Sequence, residues 1–124
     1  MPIFRNEQHA QRYELALKRM RCADDYHKPL AYLIALDDIC SAHAAEIFDF
    51  AADSIKPEVL QAAWMTGTTG KTVRLAFNLW NGFCYADAEA DQPCSDYTPE
   101  SIFCTDYLPY FCEAVKLRFP IYSE

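Results

Sequence analysis

The run Thr69-Gly70-Lys71-Thr72-Val73-Arg74-Leu75-Ala76-Phe77-Asn78-Leu79-Trp80-Asn81-Gly82 constrains the fold more than any other part of the chain. At about 100° per residue, Val73, Leu75, Ala76, Phe77, Leu79 and Trp80 cover an arc of roughly 200°. Lys71, Arg74, Asn78 and Asn81 are left with the narrow remainder. A helix lying on a surface carries a thinner apolar stripe, so this one is expected to be packed from several sides. Thr69 is suited to cap its start, and Gly82 to take the left-handed position past its end. The spacing therefore predicts a buried helix over residues 70–81 with the other helices arranged around it.

The rest of the chain reads as mostly helical too. Asn6 can cap a first helix reaching about Arg21, with Ala10, Tyr13, Leu17 and Met20 on its inner face. Asp24 and Asp25 are cap candidates ahead of a second helix, where Pro29 fits the first turn. That helix carries Leu30, Leu33, Ile34, Leu36 and Ile39, and it is apolar around much of its circumference, a second candidate for the centre. Ser41 is expected to cap a shorter helix with Ile47, Phe48 and Phe50. Pro57 opens another, burying Val59, Leu60, Ala63 and Trp64, and Gly67 ends it. Residues 83–96 form the longest irregular piece. Thr98 and Pro99 restart a helix with Ile102 and Phe103 inside. Asp106 is a cap candidate for the last helix, where Tyr107, Tyr110, Phe111 and Ala114 make a stripe that Pro120 stops. Three glycines in 124 residues disfavour a many-turned β fold. The expectation is one all-α, compact domain over residues 1–124, with no strand assigned.

Charge narrows the function classes. The net charge is −7, and it is unevenly spread. Residues 1–28 hold six basic and four acidic residues, whereas residues 29–124 hold five basic and fourteen acidic ones. No Lys or Arg falls between Arg74 and Lys116, where Asp87, Glu89, Asp91, Asp96, Glu100, Asp106 and Glu113 all lie. Direct nucleic-acid binding, which needs clustered cations, is disfavoured. The acidic half suits a basic protein surface instead. Tyr97, next to Asp96, adds a residue type enriched at interfaces. The candidate partner-binding set is therefore Asp87, Glu89, Asp91, Asp96, Tyr97, Glu100 and Asp106.

No run approaches the roughly 18 apolar residues that span a bilayer, and residues 1–14 are polar and charged, unlike a secretory leader. The expected compartment is the cytoplasm, without membrane contact. There, six cysteines with no Cys-x-x-Cys pair read mainly as small core or boundary residues rather than disulfides.

Three constellations could carry chemistry. Thr66-Gly67-Thr68-Thr69-Gly70-Lys71-Thr72 resembles a phosphate loop, but Gly-x4-Gly-Lys-Thr requires glycine at position 65, where Met65 stands. Lys71 and Arg74, on an otherwise apolar helix, call for internal carboxylate partners or an anionic ligand. Cys40 with His43, and Cys22 with His27, supply zinc-ligand types, although the two pairs lie at opposite ends of one helix and match no compact zinc spacing. No catalytic signature is present, and His43-x-x-Glu46 lacks the rest of a metalloprotease helix. The chain is expected not to be an enzyme, with zinc as the one cofactor worth testing.

Tyr26-His27-Lys28, Phe48-Asp49-Phe50, Ile55-Lys56-Pro57-Glu58, Arg74 to Gly82, Tyr107-Leu108-Pro109-Tyr110-Phe111 and Lys116-Leu117-Arg118-Phe119-Pro120 together carry a wider likeness. Through them the chain resembles, over nearly its whole length, a family of short bacterial proteins of unknown function found on prophages and conjugative elements. Cys22, Cys94 and Cys112 lie outside that pattern. The resemblance implies no catalytic residue. It does imply a setting in which small acidic proteins block host defences, as anti-CRISPR inhibitors do, by occupying the basic channel of a nucleic-acid-processing effector. The other expectations are a zinc-stabilised interaction module and a small enzyme or binder for an anionic ligand at Lys71 and Arg74.

Overall fold

A computed structural model describes residues 2–123. Seven α-helices carry the described chain: α1 (Glu7–Arg19), α2 (His27–Leu36), α3 (Asp38–Ala42), α4 (Ala44–Ile47), α5 (Gly67–Asn81), α6 (Pro99–Ile102) and α7 (Leu108–Arg118). Short 3-10 turns cover Pro57–Gln61, Ser95–Tyr97 and Pro120–Ser123. Among the described residues no helix is long and apolar enough to cross a membrane.

α2 shares the centre with α5. Every α2 residue except Lys28 is buried, and the helix packs on α1, α3, α5 and α7. Its sequence explains this: eight of its ten residues, from Pro29 to Leu36, offer no charge to any face. α5 lies against α2 and also packs on α3, α6 and α7. It buries Val73, Leu75, Ala76, Phe77 and Leu79, while Trp80 stays half-buried. Gly82 ends it at φ +79° and gives its N–H to the Asn78 carbonyl, the left-handed stop that a side chain would strain.

Local polar chemistry sets several boundaries. Asn6 Oδ1 accepts from the His9 N–H and caps α1. Asp24 Oδ1 accepts from the N–H groups of Tyr26 and His27 and so starts α2. Thr98 Oγ1 accepts from the Ser101 N–H at the head of α6.

Other expectations are corrected. Thr69 is no cap. α5 begins three residues earlier, at Gly67, which therefore opens this helix instead of ending the one before. Thr69 is buried and donates its hydroxyl to Asp37 Oδ2 at 2.8 Å. Asp37, not Ser41, caps the next helix by accepting from the N–H groups of Ile39 and Cys40. The helix expected through Phe50 stops at Ile47, because Phe48–Asp49 (β1) pairs antiparallel with Ser54–Ile55 (β2). Asp49 Oδ1 accepts from the N–H groups of Ala51 and Ala52, closing that hairpin, as a short acidic side chain does in a turn. After Pro57 only a 3-10 turn forms, and Ala63 is exposed. Asp106 does not cap α7: its N-cap is Tyr107, whose N–H goes to Thr105 Oγ1. Of the six cysteines only Cys40 is buried, while Cys22, Cys104 and Cys112 are exposed.

Where α1 crosses α2 sits a buried imidazole. His9 Nδ1 accepts the Arg5 N–H at 3.0 Å, so its Nε2 must carry the proton and donate to the Tyr32 carbonyl at 2.9 Å. The neutral ring is thus fully bonded. Burial, with Arg5 and Arg12 adding to it, holds the His9 pKa below 6.5 despite the Tyr32 carbonyl. As pH falls through about 6.5, the unfolded chain takes up a proton that the folded chain refuses, and stability falls. His27, whose pKa is raised, works the other way over the same range, because the folded chain takes up its proton before the unfolded chain does. The His9 share is therefore read against a variant: from pH 7 to pH 5.5 the urea midpoint of the unmutated chain should fall relative to that of His9→Phe, and an equal change in both chains would contradict the lowered His9 pKa.

Candidate functional site

The acidic segment hangs from the end of α5. After Gly82, Phe83 packs edge-on to Phe77, Tyr85 and Tyr97, with ring centroids 5.8, 5.4 and 6.3 Å away. The Tyr97 hydroxyl donates to the Tyr85 carbonyl at 2.7 Å, and the Cys94 N–H to the Cys84 carbonyl at 2.8 Å. Aromatic packing thus anchors residues 83–97 from within. Asp87 is half-buried and accepts from the Glu89 N–H at 2.9 Å, fixing a turn. Glu89, Asp91, Asp96, Glu100 and Asp106 are exposed. Tyr97 is half-buried, and that burial pushes its phenol well above the ordinary range.

No ion pair among the described residues involves any of these carboxylates. The early arginines are engaged elsewhere. Arg12 pairs with Asp38 at 2.7 Å. Arg5 donates to the Leu36 carbonyl, Arg21 to the Ala51 carbonyl, and Arg19 lies 3.9 Å from the Phe50 ring centroid. A shallow apolar groove is lined by Phe103, just past α6, and by Leu108, Cys112, Val115 and Lys116 of α7.

Among the described residues neither Lys71 nor Arg74 pairs with a carboxylate. Lys71 Nζ donates to the Cys104 carbonyl at 2.6 Å, tying α5 to the segment after α6. Arg74, half-buried, folds back along its own helix, so that a Cβ at Gly70 would meet its Nη1 at 3.1 Å. The two cations thus serve different neighbours.

The metal candidates divide. Cys40 lies in the core at 1% exposure, where burial drives its thiol far above the usual range. His43 is stacked on Trp64, centroids 4.1 Å apart, and its Nδ1 is held by Glu46. That pair is spent on packing and on one carboxylate. Cys22 and His27 do meet, with Sγ 3.4 Å from Nδ1, and two further groups join them. Asp24 Oδ1 lies 2.6 Å from His27 Nδ1, and Asp53 Oδ1 lies 2.7 Å from His27 Nε2. Asp53 reaches the ring from the β1–β2 turn, where its backbone takes φ +58°. Trp80 covers the ring edge-on, centroids 4.9 Å apart.

Burial works against charge on His27, but the two carboxylates, Asp53 and then Asp24, outweigh it and raise its pKa. Desolvation likewise works against charge on Asp24, yet bonding to His27 holds its carboxyl far below the usual range. Cys22 is pushed upward by desolvation and by Asp24. Thiol, imidazole and Asp53 line up as in a nucleophilic triad, but Asp24 occupies the nitrogen that would take the thiol proton. A catalytic thiol needs electropositive surroundings, and this one has the reverse. Neither Asp24 nor Asp53 was marked as a ligand from sequence. The visible trace was Asp24-Tyr26-His27 spacing at a helix start; nothing in the sequence announced Asp53.

No curated protein and no solved structure matches the chain. The model of one protein family, described as a family of unknown function (DUF6075), matches residues 1–124.

Proposed function

We propose that the chain, which belongs to the family of unknown function DUF6075, is a non-enzymatic protein that binds a basic surface of another protein. The observation that carries this reading is the exposed row Glu89, Asp91, Asp96, Glu100 and Asp106, free of ion pairs among the described residues. Unpaired surface carboxylates held on a rigid scaffold create a field that steers and orients a cationic partner. The groove of Phe103, Leu108, Cys112, Val115 and Lys116 offers apolar area of the kind found at the centre of an interface.

The finer reading is that the partner is a host nucleic-acid-processing defence effector. The chain would act on behalf of a mobile element, as an anti-CRISPR-like inhibitor does. Its carboxylates would occupy a channel built for phosphates. The resemblance to bacterial mobile-element proteins supports this, as does the absence of basic residues between Arg74 and Lys116.

The test is capture of basic proteins from host lysate on immobilised chain, at low and high salt, with duplex DNA as competitor. Changing Glu89, Asp91, Asp96 and Glu100 together to lysine should weaken capture on the order of a hundredfold. Asp87 is left alone because it holds the loop turn. Capture of the same partner at equal strength by the reversed variant, or in high salt, would end the proposal.

A further inference from the structure

We propose that Cys22, Asp24 and His27 bind a borderline divalent transition metal, zinc foremost, and that Asp53 orients His27 for it. The three side chains offer a sulfur, an oxygen and a nitrogen whose ligand atoms all lie within 4.8 Å of one another. Zinc bonds of about 2.0–2.3 Å in a tetrahedron place neighbouring ligand atoms roughly 3.3–3.7 Å apart. Two edges already have that length: Cys22 Sγ lies 3.4 Å from His27 Nδ1 and 3.5 Å from Asp24 Oδ2. The 2.6 Å hydrogen bond between His27 Nδ1 and the other carboxylate oxygen, Asp24 Oδ1, is the contact that binding must break. An ion that takes the place of the Nδ1 proton and binds Oδ2 breaks it.

Preorganisation separates this cluster from a chance meeting of surface groups. His27 is 4% exposed and fixed against Trp80. Its Nε2 donates to Asp53 at 2.7 Å, the carboxylate–histidine arrangement that turns a ligating imidazole toward its metal and raises its basicity. Asp24 Oδ1 is anchored by two backbone N–H groups, which leaves Oδ2 toward the thiol. Two distant pieces of chain, the α2 start and the β1–β2 turn, are thus brought to one ring.

The donor set selects the ion. Calcium and magnesium take oxygen ligands, whereas thiolate with imidazole favours zinc and its neighbours. On binding, the proton on His27 Nδ1 and the Cys22 thiol proton both pass to solvent, and the ion takes their places. Cys22 and Asp24 are exposed, so the fourth position faces water and the ion is exchangeable. Nothing here depends on the acidic residues 87–106, so the two proposals stand or fall separately.

Cobalt(II) titration of the whole, chelator-stripped chain tests the site. One cobalt per chain should bind, with tetrahedral visible bands and a thiolate-to-cobalt charge-transfer band that zinc abolishes and magnesium leaves alone. Cys22→Ser, at an exposed position, should fold normally and lose the charge-transfer band. Cys104→Ser and Cys112→Ser should keep it. Asp53→Asn should weaken binding about tenfold or more without removing the band. Zinc should also slow alkylation of Cys22 at least tenfold while Cys104 and Cys112 react as before. A charge-transfer band that survives in Cys22→Ser, no band in the unmutated chain, or Asp53→Asn binding as tightly as the unmutated chain would each overturn the proposal.

Discussion

Changing His9 to alanine should destabilise the folded chain by about 3–5 kcal/mol. Two costs add. The first is a cavity: the ring is 1% exposed and lies in an aromatic cluster, with centroids 5.1 Å from Phe4, 4.5 Å from Tyr32 and 6.3 Å from Tyr110. Truncating a buried ring leaves a space that its neighbours fill only in part. The second is polar: the Arg5 N–H and the Tyr32 carbonyl both lose their partner, and an unmade bond to a buried group costs more than the bond contributed. His9→Phe separates the costs, since it fills the volume and still strands both groups; roughly half the loss should remain. Urea unfolding at pH 7.5 reads both variants. From pH 7 to pH 5.5 both midpoints should also rise relative to that of the unmutated chain, because neither variant carries the ring that resists protonation. A loss below about 1 kcal/mol for the alanine variant would show that α1 is not seated through this ring.

Sequence periodicity located α1 and α5 because each carries a distinct polar side, and caps such as Asn6 and Gly82 are strong local signals. It left α2 as a second candidate for the centre, although α2 is buried almost all round, for a physical reason. A helix of uniform apolarity, such as α2, has little periodic contrast to detect, and what it shows is burial on every side. The β1–β2 hairpin was hidden because two-residue strands have no period at all. Its signal is the turn chemistry of Asp49 and Asp53, which looks like any polar bend. The same short turn delivers Asp53 to His27. The candidate metal cluster was therefore half legible: Cys22 and His27 are near in sequence, while the group that orients the ring comes from a contact across 26 residues. The acidic composition of residues 87–106 was legible, since charge counts need no fold, but that Asp87 and Tyr97 are half-buried was not. The fold also commits the arginines in and flanking α1 to Asp38, Phe50 and backbone carbonyls.

Asp37→Ala should cost about 2–4 kcal/mol, and Asp37→Asn no more than about 1 kcal/mol. Asp37 is 6% exposed, has no cationic partner among the described residues, and joins three helices. It ends α2, and its Oδ1 caps α3 through the N–H groups of Ile39 at 2.7 Å and Cys40 at 3.4 Å. Its Oδ2 accepts the Thr69 hydroxyl at 2.8 Å and so locks α5 against that corner. Alanine removes the cap and strands a buried hydroxyl at once. Asparagine keeps the capping oxygen, and its amide can donate to Thr69, whose hydroxyl accepts as readily as it donates. If geometry rather than charge holds the corner, the two variants must separate widely in thermal or urea midpoint. A Thr69→Val chain should fall between them, since it loses the bond yet leaves the α3 cap. Equal losses for alanine and asparagine would mean that the negative charge itself, not the two aimed oxygens, keeps α5 in place over α2.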